Sequence, residues 1–255
     1  MKQSLCLLAL CMLILASCTG PGHKEKKFLA DMQSEDVEQS TQAFNDFCKW
    51  LQNDKSTMDY DFPLMREKMG LKAVTSADGN FRTISWVTGG HDGIPSYANV
   101  MQWKAGNDFV SYCGPIDALI AGRKASVSKQ SNSPHSLDTI FEIDGGNFPV
   151  YLLVQSYTNT DGKRRAYTSA IYIKGIALQL LPAFFDGNEI AGNNEFNNNG
   201  SINAANLFKY DAKGQTFYAY QTDDNYNIVP GKYTTFQLQG DRFVQVEAPD
   251  TLKNN

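Results

Sequence analysis

The segment Gly89-Gly90-His91-Asp92-Gly93 holds the residue types best suited to chemistry in this chain. Glycine lets backbone approach a ligand closely. An imidazole beside a carboxylate can serve as a general base or as a pair of metal donors. Adjacent side chains on an extended segment point to opposite faces, so His91 and Asp92 make a site only with help from elsewhere. Trp86 and Trp103 lie on neighbouring expected strands, and these four residues form the candidate ligand-binding set. Tyr218 and Tyr220 share one strand face and add a second aromatic pair. Aromatic platforms stack on sugars, but such residues are also enriched in sheets because they pack well there.

Other chemistries have less support. The chain has no His-x-x-x-His or Cys-x-x-Cys spacing and no phosphate loop. It lacks a Gly-x-Ser-x-Gly elbow as well. Asp223-Asp224 offers two carboxylates of the kind glycosidases use, but the pair sits in an evident turn, Thr222 to Asn227. No catalytic residue, metal or cofactor is therefore expected. Cys48 and Cys113 are a candidate disulfide pair if the chain reaches an oxidising compartment. Two buried thiols satisfy the same sequence.

These residues need elements to position them. Phe28 to Leu51 reads as helix, with Val37, Phe44, Phe47, Cys48 and Leu51 on one apolar stripe. A shorter helix follows over Phe62 to Met69, with Pro63 in its first turn and Gly70 as its stop. From Leu71 onward, short segments rich in Val, Ile, Thr, Tyr and Phe alternate with turn signals. About twelve strands are expected, joined by links too short for the crossovers that parallel pairing requires. The fold class is therefore mainly β: antiparallel sheets, in a sandwich or propeller-like meanders, after an N-terminal helical segment. Lys124 to Pro134 and Asn188 to Asn203 read as solvated loops. Ser76-Ala77-Asp78-Gly79-Asn80-Phe81 resembles Ile143-Asp144-Gly145-Gly146-Asn147-Phe148 and, more faintly, Tyr210-Asp211-Ala212-Lys213-Gly214-Gln215, at separations of 67 residues. Repeated four-stranded modules would produce this spacing. The simpler account, that Asp-Gly is a good hairpin turn, is preferred on sequence alone.

The N-terminus has a different character. Met1-Lys2 precedes an apolar run from Leu5 to Ala16, too short to span a bilayer, which needs about 20 residues. A charged start, a short apolar core and small residues at the end make a secretory signal. The segment closes on Leu15-Ala16-Ser17-Cys18, which resembles the lipobox of bacterial lipoproteins. That resemblance implies cleavage before Cys18 and acylation of its thiol and new amine. Two or more acyl chains anchor a protein stably, whereas one does so only marginally. Loss of residues 1–17 would leave 238 of the 255 residues and, by removing Lys2, move the formal charge from −4 to −5. Such an acidic balance is unsuited to nucleic acid. Thr19 to Lys27 is mostly basic. In Bacteroidota lipoproteins surface export goes with acidic residues there, so the resemblance implies an outer-membrane protein facing the periplasm.

A second resemblance lies in Ser76-Ala77-Asp78-Gly79-Asn80-Phe81-Arg82-Thr83-Ile84-Ser85-Trp86, with Gly89-Gly90, then Val100-Met101-Gln102-Trp103, and a closing Phe236-Gln237-Leu238-Gln239-Gly240-Asp241-Arg242-Phe243. It is similar to a run in uncharacterised Bacteroidota envelope lipoproteins, touches about a third of the chain, and implies the same setting with no known activity.

The expected organisation is a signal peptide over 1–17, a flexible tether over 18–27, a helical segment over 28–70, an antiparallel β domain over 71–248 and a tail over 249–255. The expected role is non-enzymatic binding or scaffolding at the envelope. Its partners would be the membrane, through lipidated Cys18, and a glycan, peptide or envelope protein. The alternative is a glycan- or peptide-acting hydrolase whose active site is dispersed over loops. The anchor has a direct test: Cys18→Ala should abolish metabolic labelling with a fatty acid and move the protein to the soluble fraction, and continued labelling would refute lipidation at Cys18.

Overall fold

A computed structural model describes residues 20–91, 94–114, 135–144, 149–158, 164–180, 194–196, 204–223, 228–240 and 242–247. The chain divides into two compact units, Met1–Leu71 and Lys72–Asn255. The boundary falls where the periodicity changes from helix to strand.

In the first unit α1 spans Pro21–Met32, α2 Val37–Asn53 and α3 Pro63–Met69, with a single-turn helix at Lys55–Asp59. The structure corrects the expected tether over 18–27, because residues 21–27 are helical. Pro21 occupies the first turn of α1, where its missing N–H costs nothing. The expected single helix over Phe28 to Leu51 is broken at Gln33–Asp36. Asp36 caps α2 by accepting from the Glu38 and Gln39 amides at 2.9 and 3.2 Å. On α2 the buried stripe is Ala43, Phe47, Cys48, Trp50 and Leu51, while Val37 is exposed.

The centre of this unit is one buried carboxylate. Glu25 accepts from Tyr60 Oη at 2.6 Å and from the Met65 amide at 2.8 Å. Phe62, the N-cap of α3, has an apolar side chain that cannot cap and a left-handed backbone with φ 51°. Glu25, 40 residues upstream, supplies the missing acceptor to an N-terminal amide of α3. Burial, and then the bond to Glu25, push the Tyr60 hydroxyl well above the ordinary phenol range. Phe47, Trp50, Tyr60 and Phe62 pack edge-to-face and tilted around it at 5.0–6.4 Å.

The second unit is all β. Thirteen strands occur among the described residues, in three antiparallel sheets. Sheet A contains β1 (Lys72–Thr75), β2 (Phe81–His91), β3 (Ile94–Ala105) and β4 (Asp108–Cys113). Sheet B contains β5 (His135–Asp144), β6 (Pro149–Thr158), β7 (Arg164–Lys174) and β8 (Ala177–Leu180), with β9 (Asn194–Phe196) also on β7. Sheet C contains β10 (Phe208–Asp211), β11 (Thr216–Thr222), β12 (Ile228–Gln239) and β13 (Arg242–Val246). The mainly β, antiparallel class with its helical N-terminal segment is therefore observed. β9 lies in a segment read as loop from the sequence.

Each sheet carries a four-strand meander in chain order. The three Asp-containing segments set 67 residues apart fall at the same place in each, between its first and second strands. A second correspondence runs between the third and fourth strands. There the paired residues Ala105 and Asp108, Lys174 and Ala177, and Gln239 and Arg242 are each separated by two positions in sequence, of which Gly106, Gly175 and Gly240 are the first. Each of these glycines has φ 59–67°, the conformation that lets a two-residue turn follow strand twist. Topology thus favours the repeated-module account over the simpler one preferred from sequence.

Sheet B is the middle layer. One face contributes Tyr151, Leu153 and Ile171 to a core with Phe81, Met101 and Trp103 of sheet A. The other contributes Val150, Leu152, Val154, Ala166 and Ala170 to a core with Phe208, Phe217, Ala219 and Phe243 of sheet C. This is why β6 is apolar at consecutive positions where a half-buried strand would alternate.

The Ser76-to-Phe81 turn at the start of the Ser76–Trp86 run is tied by side-chain hydrogen bonds. Ser76 Oγ donates to Asp78 at 2.5 Å and accepts from the Phe81 amide at 3.0 Å. Asp78 also accepts from Tyr151 Oη at 2.8 Å, while Glu142 accepts from the Asp78 amide at 2.7 Å. Burial opposes ionisation of Asp78, yet its hydrogen bonds hold the carboxyl below the ordinary range. The turn of sheet A is thereby tied to sheet B.

Replacing the α3 cap gives a measurable result. Glu25→Ala strands a buried amide and a buried hydroxyl, and should lower stability by about 2–3 kcal/mol in urea unfolding followed by far-UV circular dichroism. Tyr60→Phe should cost only about 1 kcal/mol.

Candidate functional site

The interlayer between sheets A and B changes character along its length. At one end it is apolar, around Phe81, Trp103, Met101, Tyr151 and Leu153. At the other end the same inward-facing register positions become polar. On sheet A, Phe81, Thr83 and Ser85 alternate inward along β2, opposite Trp103, Met101 and Asn99 of β3. Lys72 of β1 pairs with Ser85, extending the row to Lys72, Ser85 and Asn99. On sheet B, Tyr151 and Leu153 are followed by Gln155 and Tyr157, opposite Tyr167 and Arg165 of β7.

These side chains form a connected polar seam. Asn99 Nδ2 donates to the His135 carbonyl at 2.9 Å, joining the two sheets. Tyr167 Oη donates to Gln155 Oε1 at 3.1 Å and lies 2.7 Å from His135 Nδ1. Gln155 Nε2 donates to Ser169 Oγ at 2.9 Å. Which of His135 Nδ1 and Tyr167 Oη donates depends on the His135 tautomer. The rings of His135, Tyr157 and Tyr167 lie 5.1–6.1 Å apart, tilted or edge-to-face. The floor is buried: Ser85 and Asn99 are each 2% exposed and Gln155 is 0%. Its rim of Tyr97, His135, Tyr157 and Tyr167 is half-buried. In that floor Asn99 Oδ1 and Ser85 Oγ, on directly paired residues, have no hydrogen-bond partner among the described residues.

A charged chain borders the seam at a β-bulge in β5, where Asp138 is the extra residue. The Asp138 carboxylate is fully buried and accepts from Lys72 Nζ at 2.6 Å, from Ser136 Oγ at 3.2 Å and from Ser156 Oγ. Ser156 in turn accepts from Arg164. Burial raises the Tyr97 hydroxyl above its ordinary range, Arg164 pulls it back, and Asp138 pushes it up again. Tyr97 therefore feels the opposing charges of Arg164 and Asp138.

The sequence-derived candidates do not converge here. Trp86 and Trp103 are on adjacent strands but opposite faces: Trp103 pairs with Phe81 on the interlayer side, whereas Trp86 pairs with Ala98 on the other. Both are buried, at 2% and 3% exposure, so neither is a stacking platform. His91 ends β2, six residues beyond Ser85 and roughly 20 Å further along the strand. Asp92 and Cys18 lie outside the described residues. Cys48 and Cys113 are thiols in this structure, and they fall in separate units, Met1–Leu71 and Lys72–Asn255. Cys48 is buried within the α2 stripe and Cys113 ends β4 beside Val100. Tyr218 and Tyr220 do share the face of sheet C opposite its core, with Tyr233 perpendicular to each at 5.3 and 5.9 Å. Among the described residues, no three His, Cys, Asp or Glu side chains gather as a metal site.

Ser85, Asn99, Gln155, Tyr157 and Tyr167 were missed from sequence. Their signal was a polar residue continuing an inward alternation, as in Phe81-x-Thr83-x-Ser85 and Tyr151-x-Leu153-x-Gln155. No protein-family model, curated protein or solved structure matches the chain.

The bulge chain makes its own prediction. Asp138→Ala removes the acceptor shared by Lys72, Ser136 and Ser156, and should cost about 3 kcal/mol in urea unfolding. Lys72→Met should cost less, because two hydroxyls still donate to the carboxylate.

Proposed function

We propose that this protein is a lipid-anchored envelope lipoprotein that binds a ligand in the seam between sheets A and B without transforming it. The anchor rests on the Leu15-Ala16-Ser17-Cys18 lipobox. No described helix is long and apolar enough to cross a membrane, and an acylated Cys18 needs none. The periplasmic face of the outer membrane is the proposed location, from the basic residues after Cys18.

The observation that carries the binding role is the pair of buried, unpartnered acceptors, Ser85 Oγ and Asn99 Oδ1, beneath a half-exposed aromatic rim. Leaving such an atom unsatisfied costs about 1–3 kcal/mol, and a ligand donor reaching it would remove that cost. The arrangement favours binding over catalysis. The one histidine of the seam is held by Tyr167, and the one buried carboxylate beside it is occupied by an ammonium and two hydroxyls.

A thermal-shift screen of the soluble Cys18→Ala protein against uncharged glycans and peptides tests this. The expected result is a dose-dependent rise in Tm for at least one compound, recovered intact by chromatography, and lost in Ser85→Val. Cleavage of the compound would instead support a hydrolase, and a shift unchanged in Ser85→Val would place binding elsewhere.

A further inference from the structure

With Cys18 acylated as proposed above, on which this inference rests, the helical unit begins almost at its anchor. Gly20 is the N-cap of α1 and Pro21 opens the helix. Two peptide links therefore join Cys18 to the cap, and fully extended they span about 7 Å. An acylated residue lies at the bilayer surface. The start of α1 thus stays within about one Debye length of the headgroups, roughly 8 Å at physiological ionic strength. Lys26 and Lys27 follow about 10 Å along the helix from Gly20.

The two sides of α1 differ. Glu25 and Leu29 are buried, and Phe28 stacks on Trp50 at 5.5 Å. His23, Lys26, Lys27 and Ala30 are exposed. Spacings of three, four and seven put these four on one face, opposite Glu25 and Leu29.

Charge divides between the same two sides. Glu25 is the one acid in the first two turns, and it accepts from Tyr60 and the Met65 amide on the buried side. Asp59 and Asp61 adjoin Tyr60, which meets α1 on that side. Lys24, at the border, pairs with Asp54 at 3.0 Å and lies over the Trp50 ring. Lys26 and Lys27 make no ion pair among the described residues. Asp46 of α2 is held below the ordinary carboxyl range by Gln42 and Lys49, and least by Lys27.

Membranes carrying anionic lipid attract lysines beside an anchor, and the attraction fades within a Debye length. Two lysines alone would hold a protein to such a surface weakly. Once acyl chains supply the affinity, contact becomes intramolecular, and the same two charges suffice to set orientation. The chain is acidic overall, so an anionic bilayer repels it as a whole and selects its exposed basic face.

We infer that the His23, Lys26 and Lys27 face of α1 lies on the phosphate headgroups of an anionic phospholipid bilayer, held there by acylated Cys18 two residues before the helix cap. The helical unit is then seated on the membrane, with no free tether between them.

Supplying the anchor chemically makes the test independent of acylation in cells. The chain from Cys18 onward, carrying Cys113→Ser, is coupled through its Cys18 thiol to a maleimide phospholipid in preformed vesicles, while Cys48 is buried. One set of vesicles is phosphatidylcholine, and the other is an equal mixture of phosphatidylcholine and phosphatidylglycerol. Lysines are methylated with formaldehyde and dimethylamine-borane, which are uncharged, and the products are read by peptide mass spectrometry. Methylation of Lys26 and Lys27 should be at least about fivefold slower on the anionic vesicles than on the neutral ones. Salt at about 0.5 M, which shortens the Debye length, should abolish the difference. Lys27→Glu should at least halve the protection of Lys26. Equal rates on the two membranes would overturn the docking and leave the anchor standing. Protection that survives the added salt would overturn the assignment to headgroup phosphates. Failure of the anchor itself reads separately, as fatty-acid labelling that persists in Cys18→Ala.

Discussion

A sheet with both faces covered constrains everything else in the β unit. Sheet B buries Tyr151 and Leu153 on one side and Leu152 and Val154 on the other, along a single strand. Fully burying such side chains contributes about 1.5–3 kcal/mol each. It also fixes register, since a one-residue slip would exchange the two cores. Sheets A and C each need only one inward face to complete these cores. Three successive copies of one four-strand meander are enough to build the stack, and in each a glycine directly follows the third strand.

A doubly covered sheet has no solvated face on which polar residues can be placed without cost. Polar side chains at its inward positions are costly unless they are partnered. Toward the β5 N-terminus, Gln155, Tyr167, Ser169 and His135 satisfy one another in a continuous network. Ser85 and Asn99, arriving from sheet A, do not close it. This polarity gradient within one interlayer, apolar at Phe81 and polar at Asn99, separates the part that holds the sheets together from the part proposed for recognition. The bulge at Asp138 lies at the edge of that change and engages the neighbouring charges.

The helical unit solves a similar problem on a smaller scale. An apolar residue, Phe62, stands where α3 wants a cap, and a distant carboxylate fills the role. Glu25 falls within the segment read as tether because Thr19 to Gly22 has turn composition and the contacts that order Glu25 come from residues 35 and 40 positions away. Local sequence carries no trace of such partners.

The sequence by itself determined the local patterns. Strands such as Asp108–Cys113, the helix from Pro63 with its stop at Gly70, and the antiparallel sheet class follow from periodicity and turn residues, which act over a few positions. The lipobox at Leu15 to Cys18 is also local, and carries the anchoring proposal. Tertiary structure alone decided which faces meet. It placed Trp86 and Trp103 on opposite sides of one sheet and brought Ser85, Asn99, Gln155 and Tyr167 together from four strands. Strand period says that a residue faces one side or the other. Whether that side meets water, an apolar layer or another polar side chain depends on how the sheets stack, and stacking is set by the summed burial of residues far apart in the chain.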